Sequence, residues 1–392
     1  MPCRSVHDHE TTRSGQLFVM KRIAVNLLWC RPGRVGGSEQ YLVRQLAGLN
    51  EVAGKEIELQ LFAPRGFALA HPHLARAAHV HESSSSQAVR PLRVMREATW
   101  LAARAQNADV VHHGGGTIPP RSPQPTLLTI HDLQYLVYPE YFSRTKLRYL
   151  SSRLPVSVRR ATHIAVPSEY VRRTVIERLA VPSENVSVVR HGVEPTIGGG
   201  RTSEAELRSR YGLTAARILA YPAVTHPHKN HDFLCDLLAG PLRNQDVQLV
   251  CAGTAGRAHE TLLRRIASNR LEDRVKLVGR LSDADRDGLL AMSAALVFPS
   301  AYEGFGAPVI EAMALGTPVI TSDAAALPEV VGNAGQVVTL DLSAWVHAID
   351  NSVANRNDWV RRGRERANEF RLIDSGRDLD AAYRHILQGG TA

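Results

Sequence analysis

Short apolar runs, separated by longer stretches with an apolar residue every three or four positions, set the pattern of this chain from Lys21 onward. The runs Arg22 to Leu28, Ile57 to Ala63, Asp109 to His113, Thr126 to Ile130, Thr162 to Val166 and Val186 to Val189 read as strands. Helical periodicity falls between them at Glu39 to Leu49, Leu92 to Ala105 and Glu169 to Leu179. Short apolar runs alternating with helices predict a parallel sheet covered on both faces. Periodicity stops at Pro195 to Arg201, where Gly198, Gly199 and Gly200 mark a linker. Beyond it the pattern restarts. Strands are predicted at Arg217 to Tyr221, Val247 to Ala252, Val275 to Val278, Ala295 to Phe298 and Pro318 to Thr321. Helices are predicted at Lys229 to Leu238, His259 to Ser268, Asp283 to Met292, Pro308 to Leu315 and Leu342 to Val353. The result is two doubly wound, Rossmann-like α/β units, with no shorter repeat to suggest a solenoid. Such domains bind ligands beyond the carboxyl ends of their strands, so a shared cleft is the expected site.

Length agrees, since 392 residues suit two domains better than one. No apolar run reaches the roughly 18 residues that a membrane-spanning helix needs. Met1 to Gln16 is polar and lacks the apolar core of a secretory signal, so residues 1–20 read as a disordered leader, with Met20 an alternative start. Cys3, Cys30, Cys235 and Cys251 are scattered, without metal-ligand spacing, which fits a reduced, cytoplasmic protein. A net charge of +9 calls for an anionic partner: a sugar nucleotide, a membrane surface or a nucleic acid. Nucleic acid is disfavoured, because the aromatics that would stack on bases are not interleaved with the basic residues. The segment 144–160 carries Arg144, Lys146, Arg148, Arg153, Arg159 and Arg160 with no acid among them. Leu147, Leu150, Leu154 and Val158 lie at near-helical spacing, interrupted by Pro155. That pattern suits either a basic amphipathic helix on the inner face of the plasma membrane or a solvated helix face over a core stripe.

The most specific chemistry lies in Pro299-Ser300-Ala301-Tyr302-Glu303-Gly304-Phe305-Gly306-Ala307-Pro308-Val309-Ile310-Glu311. It follows a predicted buried strand and opens a helix. Gly304 and Gly306 allow close backbone approach, and the helix N-terminus offers N–H groups to an anion. Glu303 in the loop and Glu311 two turns into the helix can hold hydroxyls at opposite ends of an elongated ligand. In the first unit, Gly33-Arg34-Val35-Gly36-Gly37-Ser38-Glu39 joins the first strand to a helix, with Ser38 as an N-cap candidate. His131 and Asp132 end one strand; His112, His113 and Gly114 to Gly116 end another and are candidates to shape an acceptor site. Asp283-Ala284-Asp285 resembles a metal-binding acid pair, but at a helix start acids simply complement the dipole. His71, His73, His79 and His81 lack accompanying metal ligands and read as a solvated loop.

The segment around Glu303 and Glu311 resembles the glutamate-pair motif of glycosyltransferase family 4, whose fold is GT-B and whose members retain anomeric configuration. The resemblance continues through Gly316-Thr317-Pro318-Val319-Ile320, Leu327-Pro328-Glu329-Val330-Val331-Gly332, Tyr221 to Asn230, His131-Asp132-Leu133 through Pro139-Glu140-Tyr141, and Pro167-Ser168-Glu169-Tyr170. It covers about Lys21 to Tyr383 and is similar to the mannosyltransferase-like branch. It implies an N-terminal acceptor domain at 21–195, a nucleotide-sugar domain at 196–372 and a C-terminal helix at 373–392 that can pack back on the first domain. It further implies that Glu311 holds the ribose, Glu303 the donor sugar, and the amides around Phe305 and Gly306 the sugar hydroxyls. Lys229 would neutralise the diphosphate, Gly36 and Gly37 would lie over it, and His131 would contact the donor sugar or leaving phosphate. Arg280 is a further phosphate or base candidate. The chain departs from the family in two places: Ala223 stands where many members have Arg, and His228 replaces another frequent Arg.

The expected activity is transfer of a hexose, mannose from GDP-mannose, to a glycan or lipid-linked acceptor, with the nucleotide sugar as co-substrate and without cofactor or metal. No positioned nucleophile emerges, which points to a front-face substitution. A UDP-sugar transferase of the same fold and an inactive, scaffolding subunit are the alternatives.

Overall fold

The structure is a computed structural model and describes residues 20–32, 36–83, 90–123 and 125–389. The predicted leader, Cys3 and the Gly33 to Val35 part of the glycine loop lie outside the described residues. The first sheet contains β1 (Lys21–Asn26), β2 (Ile57–Pro64), β3 (His79–Ser83), β4 (Val110–His113), β5 (Thr126–Thr129), β6 (His163–Val166) and β7 (Val186–Val188). Its order is β3-β2-β1-β4-β5-β6-β7. The second contains β8 (Arg217–Tyr221), β9 (Val247–Cys251), β10 (Val275–Leu277), β11 (Ala295–Phe298), β12 (Val319–Ser322) and β13 (Gln336–Val338), in the order β10-β9-β8-β11-β12-β13. All these pairings are parallel.

The strands form where their side chains are buried on both faces, as in β4, β5, β6, β9 and β11. Serine N-caps start several of the covering helices: the Oγ of Ser143, Ser168 and Ser282 accepts from the backbone N–H three residues on, satisfying an otherwise open donor. Each sheet changes direction once, between β1 and β4 and between β8 and β11. The loops after those strands carry Gly36, Gly114 to Gly116, Pro222 to Lys229 and Pro299 to Gly306. Strand order alone therefore gathers these segments at one end of each sheet.

Two expectations fail here. Pro155 does not interrupt its helix, which runs unbroken over Arg144–Arg160. Leu147, Leu150, Leu154 and Val158 pack with Leu128, Ile130 and Ile164 in the core, so the apolar stripe is already covered and only the basic face is outward. The histidines at 71–81 do not form a solvated loop. His71 is buried and bonded to Glu39 at 2.8 Å, and His79 and His81 belong to β3, with His81 stacked on Phe62. Among the described residues no helix is long and apolar enough to cross a membrane.

The chain crosses between the two sheets after β7 and returns near its end. Val193 N–H donates to Phe370 C=O at 2.8 Å, and Val193 forms a parallel bridge with Arg371. The helix Leu372–Leu387 then seats on the first domain, burying Leu379, Ala382, Tyr383 and Ile386 against its core. It meets the Gly37–Ala53 helix backbone to backbone: a Cβ on Gly48 would lie 2.1 Å from Leu372 O, and one on Gly376 2.1 Å from Gly48 C. No side chain fits at either position. Gly48→Val should therefore lower stability by about 3 kcal/mol, read as a fall in the urea midpoint. An unchanged midpoint would show that the two helices do not make this contact in solution.

Candidate active site

The Gly37–Ala53 helix begins directly after Gly36, which is its N-cap; Ser38 lies inside the first turn and does not cap it. Glu39 anchors the preceding loop, accepting from Arg31 N–H at 2.9 Å and facing His71 on its other oxygen. Among the described residues, a Cβ built on Gly36 or Gly37 would meet no atom within 4 Å beyond the adjacent chain. Packing against the described residues therefore does not require glycine there, and the backbone is open to close approach from the cleft. Across the cleft Gly306, at φ +100°, sits in the left-handed region and caps the Ala307–Ala314 helix, a conformation that favours glycine. Glu311 lies one turn into that helix and beyond, buried at its inner face.

These pieces converge on a cavity of about 230 Å³ whose lining includes Gly36, Gly37, Arg44, His191, Arg280 and Glu311. Glu311 is paired with Arg44 Nη1 at 2.7 Å. Burial opposes its ionisation, but Arg44 and Arg286 outweigh that and hold its carboxyl below the usual glutamate range. The ring of His191 stacks on Phe305, with centroids 4.4 Å apart, and Phe305 packs in turn on Phe370 at the inter-sheet crossing. Arg280 is exposed at the lip of this cavity.

Lys229 and Glu303 form an ion pair with each other. Their loops are tied together, since Ala301 N–H donates to His228 C=O at 2.7 Å and Asn230 Nδ2 donates to Pro299 C=O at 2.9 Å. Burial and then the Lys229 charge depress His228 to about 3, so it is neutral near pH 7. His131 lines a second cavity of about 220 Å³ with Ser38, Gly116, Asp132 and Lys146. Its Nε2 faces Gly114 C=O at 2.8 Å. A carbonyl only accepts, so the neutral ring carries its proton on Nε2 and presents Nδ1 as acceptor. Burial lowers the His131 pKa against the opposing pull of that carbonyl and of Asp132. The Glu303 loop abuts this histidine: a Cβ on Gly304 would fall 2.2 Å from His131 O.

The domains also touch around the rim. Ser168 Oγ donates to Gly304 C=O at 2.7 Å, and Tyr302 Oη accepts from Leu133 N–H at 3.3 Å. Glu329, from the Leu327–Val331 helix, accepts from Glu169 N–H and Tyr170 N–H at 2.8 Å each. A carboxylate of one domain thus sits on a helix N-terminus of the other, where charge and open donors both favour it.

The structure withdraws His112 and His113 from an acceptor site. Both are fully buried in the sheet. His112 bonds Tyr383 Oη and Thr129 Oγ1 at 2.7 Å each; His113 bonds Asn26 at 3.2 Å and Ser122 Oγ at 2.7 Å. Asp285 is likewise structural, held by Thr202, Arg210 and Tyr211, and among the described residues no cluster of three or more His, Cys, Asp or Glu could hold a metal. Sequence reasoning missed Arg44, Glu194, His191 and Arg286. Arg44 did leave a signal: it stands among Tyr41, Leu42, Gln45 and Leu46 with no acid three or four residues away. A cation in such a buried stripe must find a distant carboxylate.

Two parallel sheets facing across a cleft, with loops from both switch points gathered on it, make this the GT-B fold of nucleotide-sugar glycosyltransferases. A crystal structure of HepE from Anabaena, in complex with UDP and glucose, superposes with a TM-score of 0.72 at 20% identity, covering 93% of this chain and 99% of that one. The lipopolysaccharide glycosyltransferase WaaG gives 0.68 at 16% identity, covering 94% and 100%. The family model described as Glycosyltransferase Family 4 matches residues 35–197, and that described as Glycosyl transferases group 1 matches 215–355. The chain belongs to glycosyltransferase family 4 and is a nucleotide-sugar-dependent hexosyltransferase. It is 27% identical to O-antigen chain mannosyltransferase B of Escherichia coli over 318 residues, 77% of this chain and 82% of that one. It is 28% identical to O-antigen chain mannosyltransferase RfbU of Salmonella typhimurium over 353 residues, 85% and 93% of the two chains.

The buried histidines make stability depend on acid pH. Burial holds both His112 and His113 at about 3, whereas in the unfolded chain they protonate near the ordinary value of about 6.5. Between those values the unfolded state binds more protons, so their contribution is intact above 6.5 and is lost as pH falls. His112 alone should cost about 2 kcal/mol at pH 5. Urea midpoints should fall between pH 7.5 and pH 5, and His112→Gln should flatten that fall; equal slopes would contradict the burial of a neutral imidazole.

Proposed function

We propose that this enzyme is a retaining mannosyltransferase that uses GDP-mannose and an acceptor glycan, free or lipid-linked. The observation that carries the reading is the convergence of Glu311 with Gly36 and Gly37, from different domains, on one cavity beside both switch points. Mannose is supported by the names of the two relatives, both O-antigen chain mannosyltransferases.

In this scheme Glu311 accepts hydrogen bonds from the ribose hydroxyls, and the open backbone at Gly36 and Gly37 lies over the diphosphate. Lys229 exchanges its present partner Glu303 for the diphosphate, which frees Glu303 to bind the donor sugar. The sugar C1–O bond breaks with its electron pair leaving on the diphosphate. The acceptor hydroxyl attacks C1 from that same face, and its proton passes to the departing phosphate oxygen. Retention follows from the shared face. Lys229 and the glycine-loop amides stabilise the charge that develops on the leaving group. His131, neutral and fixed by Gly114, orients the donor sugar or leaving phosphate through its other face. The scheme uses no metal. Cytoplasmic placement belongs to the same proposal and is supported by Cys30, Cys235 and Cys251, which are buried free thiols.

Calorimetric titration with GDP, UDP and dTDP, first without metal and then with magnesium, tests the assignment. GDP should bind most tightly, and Glu311→Ala should weaken it by about tenfold or more. Preference for UDP would overturn the donor base, and no binding at millimolar concentration would overturn the catalytic reading. With donor saturating, Lys229→Met should lower turnover by about a hundredfold; unchanged turnover would remove Lys229 from the chemistry.

A further inference from the structure

Arg44 rises from the buried side of the Gly37–Ala53 helix and ends between two carboxylates. Its Nε donates to Glu194 Oε1 and its Nη1 to Glu311 Oε1, each at 2.7 Å. The Arg44 side chain is 3% exposed and that of Glu311 8%. Gln40, one turn earlier, donates to the same Glu194 oxygen at 3.0 Å and so fixes the far end of the bridge. Arg44 belongs to the first domain, Glu311 to the second, and Glu194 to the segment that crosses between them.

Stability is a poor reason for such an arrangement. Removing two charges from water costs as much as their attraction returns, and well-packed apolar residues do as well or better. Orientation is a better reason. A carboxylate has about four acceptor positions, and Arg44 occupies one on Oε1. The rest of the group remains on the wall of the cavity that Arg44 and Glu311 share. Two adjacent ribose hydroxyls need a carboxylate whose plane is fixed before they arrive, and a planar guanidinium anchored at both ends supplies that.

We propose that Arg44 is a positioning residue for the nucleotide's ribose: reaching across the cleft, it orients the Glu311 carboxylate, so that the ribose site is complete only when the domains are closed. This rests on the assignment of Glu311 to the ribose made above. Domain closure and recognition of the nucleotide sugar thereby become one event. A donor held in an open cleft lacks its full ribose contact, and closure restores it while excluding water from the reacting bond.

Calorimetric binding of GDP and 2′,3′-dideoxy-GDP, or of the same pair for whichever base the protein prefers, tests this on wild type, Arg44→Met, Arg44→Lys and Glu311→Gln. Wild type should favour the ribonucleotide by about thirtyfold, the value for two hydroxyls on a charged acceptor. In Arg44→Met that ratio should fall to the level of Glu311→Gln, while affinity for the dideoxynucleotide changes by less than about threefold. Arg44→Lys keeps the charge but cannot span both carboxylates, and should lie between; it also provides the reading if the methionine variant does not fold. An equal loss for both nucleotides would make Arg44 merely structural and overturn the proposal. Tighter ribonucleotide binding by Arg44→Met would make Arg44 a competitor of the ribose, overturning it in the opposite sense. A wild type that does not distinguish the two nucleotides would instead refute the ribose assignment of Glu311 itself.

Discussion

The cleft depends on two chain segments that cross side by side between the sheets, outward after β7 and back at Phe370 and Arg371, joined by the bond from Val193 to Phe370. The return crossing carries the Leu372–Leu387 helix onto the Gly37–Ala53 helix at a contact that admits only glycine, Gly48 against Gly376. That second helix begins at the open glycine pair and carries Arg44 near its middle. Its position is also fixed from the outward crossing, because Tyr41 Oη and Gln45 Nε2 both donate to Val189 C=O. The Leu372–Leu387 helix thus helps to set the geometry of the loop at Gly36, and with it one wall of the cavity that Arg44 and Glu311 line.

The contacts between domains divide by chemistry. At the crossing they are apolar or aromatic: Phe305 lies between His191 and Phe370, with Tyr41 4.4 Å from the same histidine ring. Around the rim they are hydrogen bonds to backbone groups, one each from Ser168 and Tyr302 and two from Glu329, while the Arg44–Glu311 ion pair joins the domains at the cavity between. Water can take over each rim bond when the domains part, so opening there has a small net cost per bond. Parting the aromatic crossing would expose apolar surface that water does not replace. A motion that parts the domains should therefore pivot about the crossing and open at the rim. The Leu327-Pro328-Glu329 segment, legible beforehand only as a family resemblance, has a physical role in this division: its carboxylate latches the second domain to the Glu169–Leu179 helix start.

What could be read beforehand follows the same line between local and long-range causes. Buried central strands were legible because their apolar runs leave no other option; β11 and β8 fall where the pattern puts them. The edge strands β3 and β13 were not, since β3 is mostly polar and exposed and β13 is only three residues long with none of them fully buried. The Glu204–Tyr211 helix has a single buried residue, Leu207, and was invisible for the same reason. The glycine and glutamate loops were legible through residues with narrow backbone or chemical uses. His112 and His113 were misread because a strand end looks the same in sequence whether its side chains face a cleft or a neighbouring helix. Tyr383, far along the chain, decides that for His112. Arg44 belongs with these: the pattern shows that it needs a partner, and only the fold shows which.

The departure at Ala223 also takes on a physical meaning. Where the family resemblance would put a second arginine there is Ala223, and two of the cations lining this cavity are bound to carboxylates: Arg44 to Glu194 and Glu311, and Arg286 to Asp283 and Asp287. Lys229 is paired as well, but with Glu303, which resemblance assigns to the donor sugar rather than to the fold. That pair differs from the others in what dissolving it would do. Breaking Arg44 from Glu311 inside the closed cleft would leave the buried Glu311 carboxylate without its direct partner, at a cost of several kcal/mol. Breaking Lys229 from Glu303 in the presence of a sugar diphosphate leaves neither group unsatisfied, because the phosphates replace the carboxylate and the sugar hydroxyls replace the ammonium. Of these buried or half-buried pairs, it is the one whose two halves match the two halves of the donor. Under the donor-binding scheme proposed above, Glu303 holds Lys229 as the diphosphate would, and the donor exchanges with that pair rather than with the ion pairs of the fold.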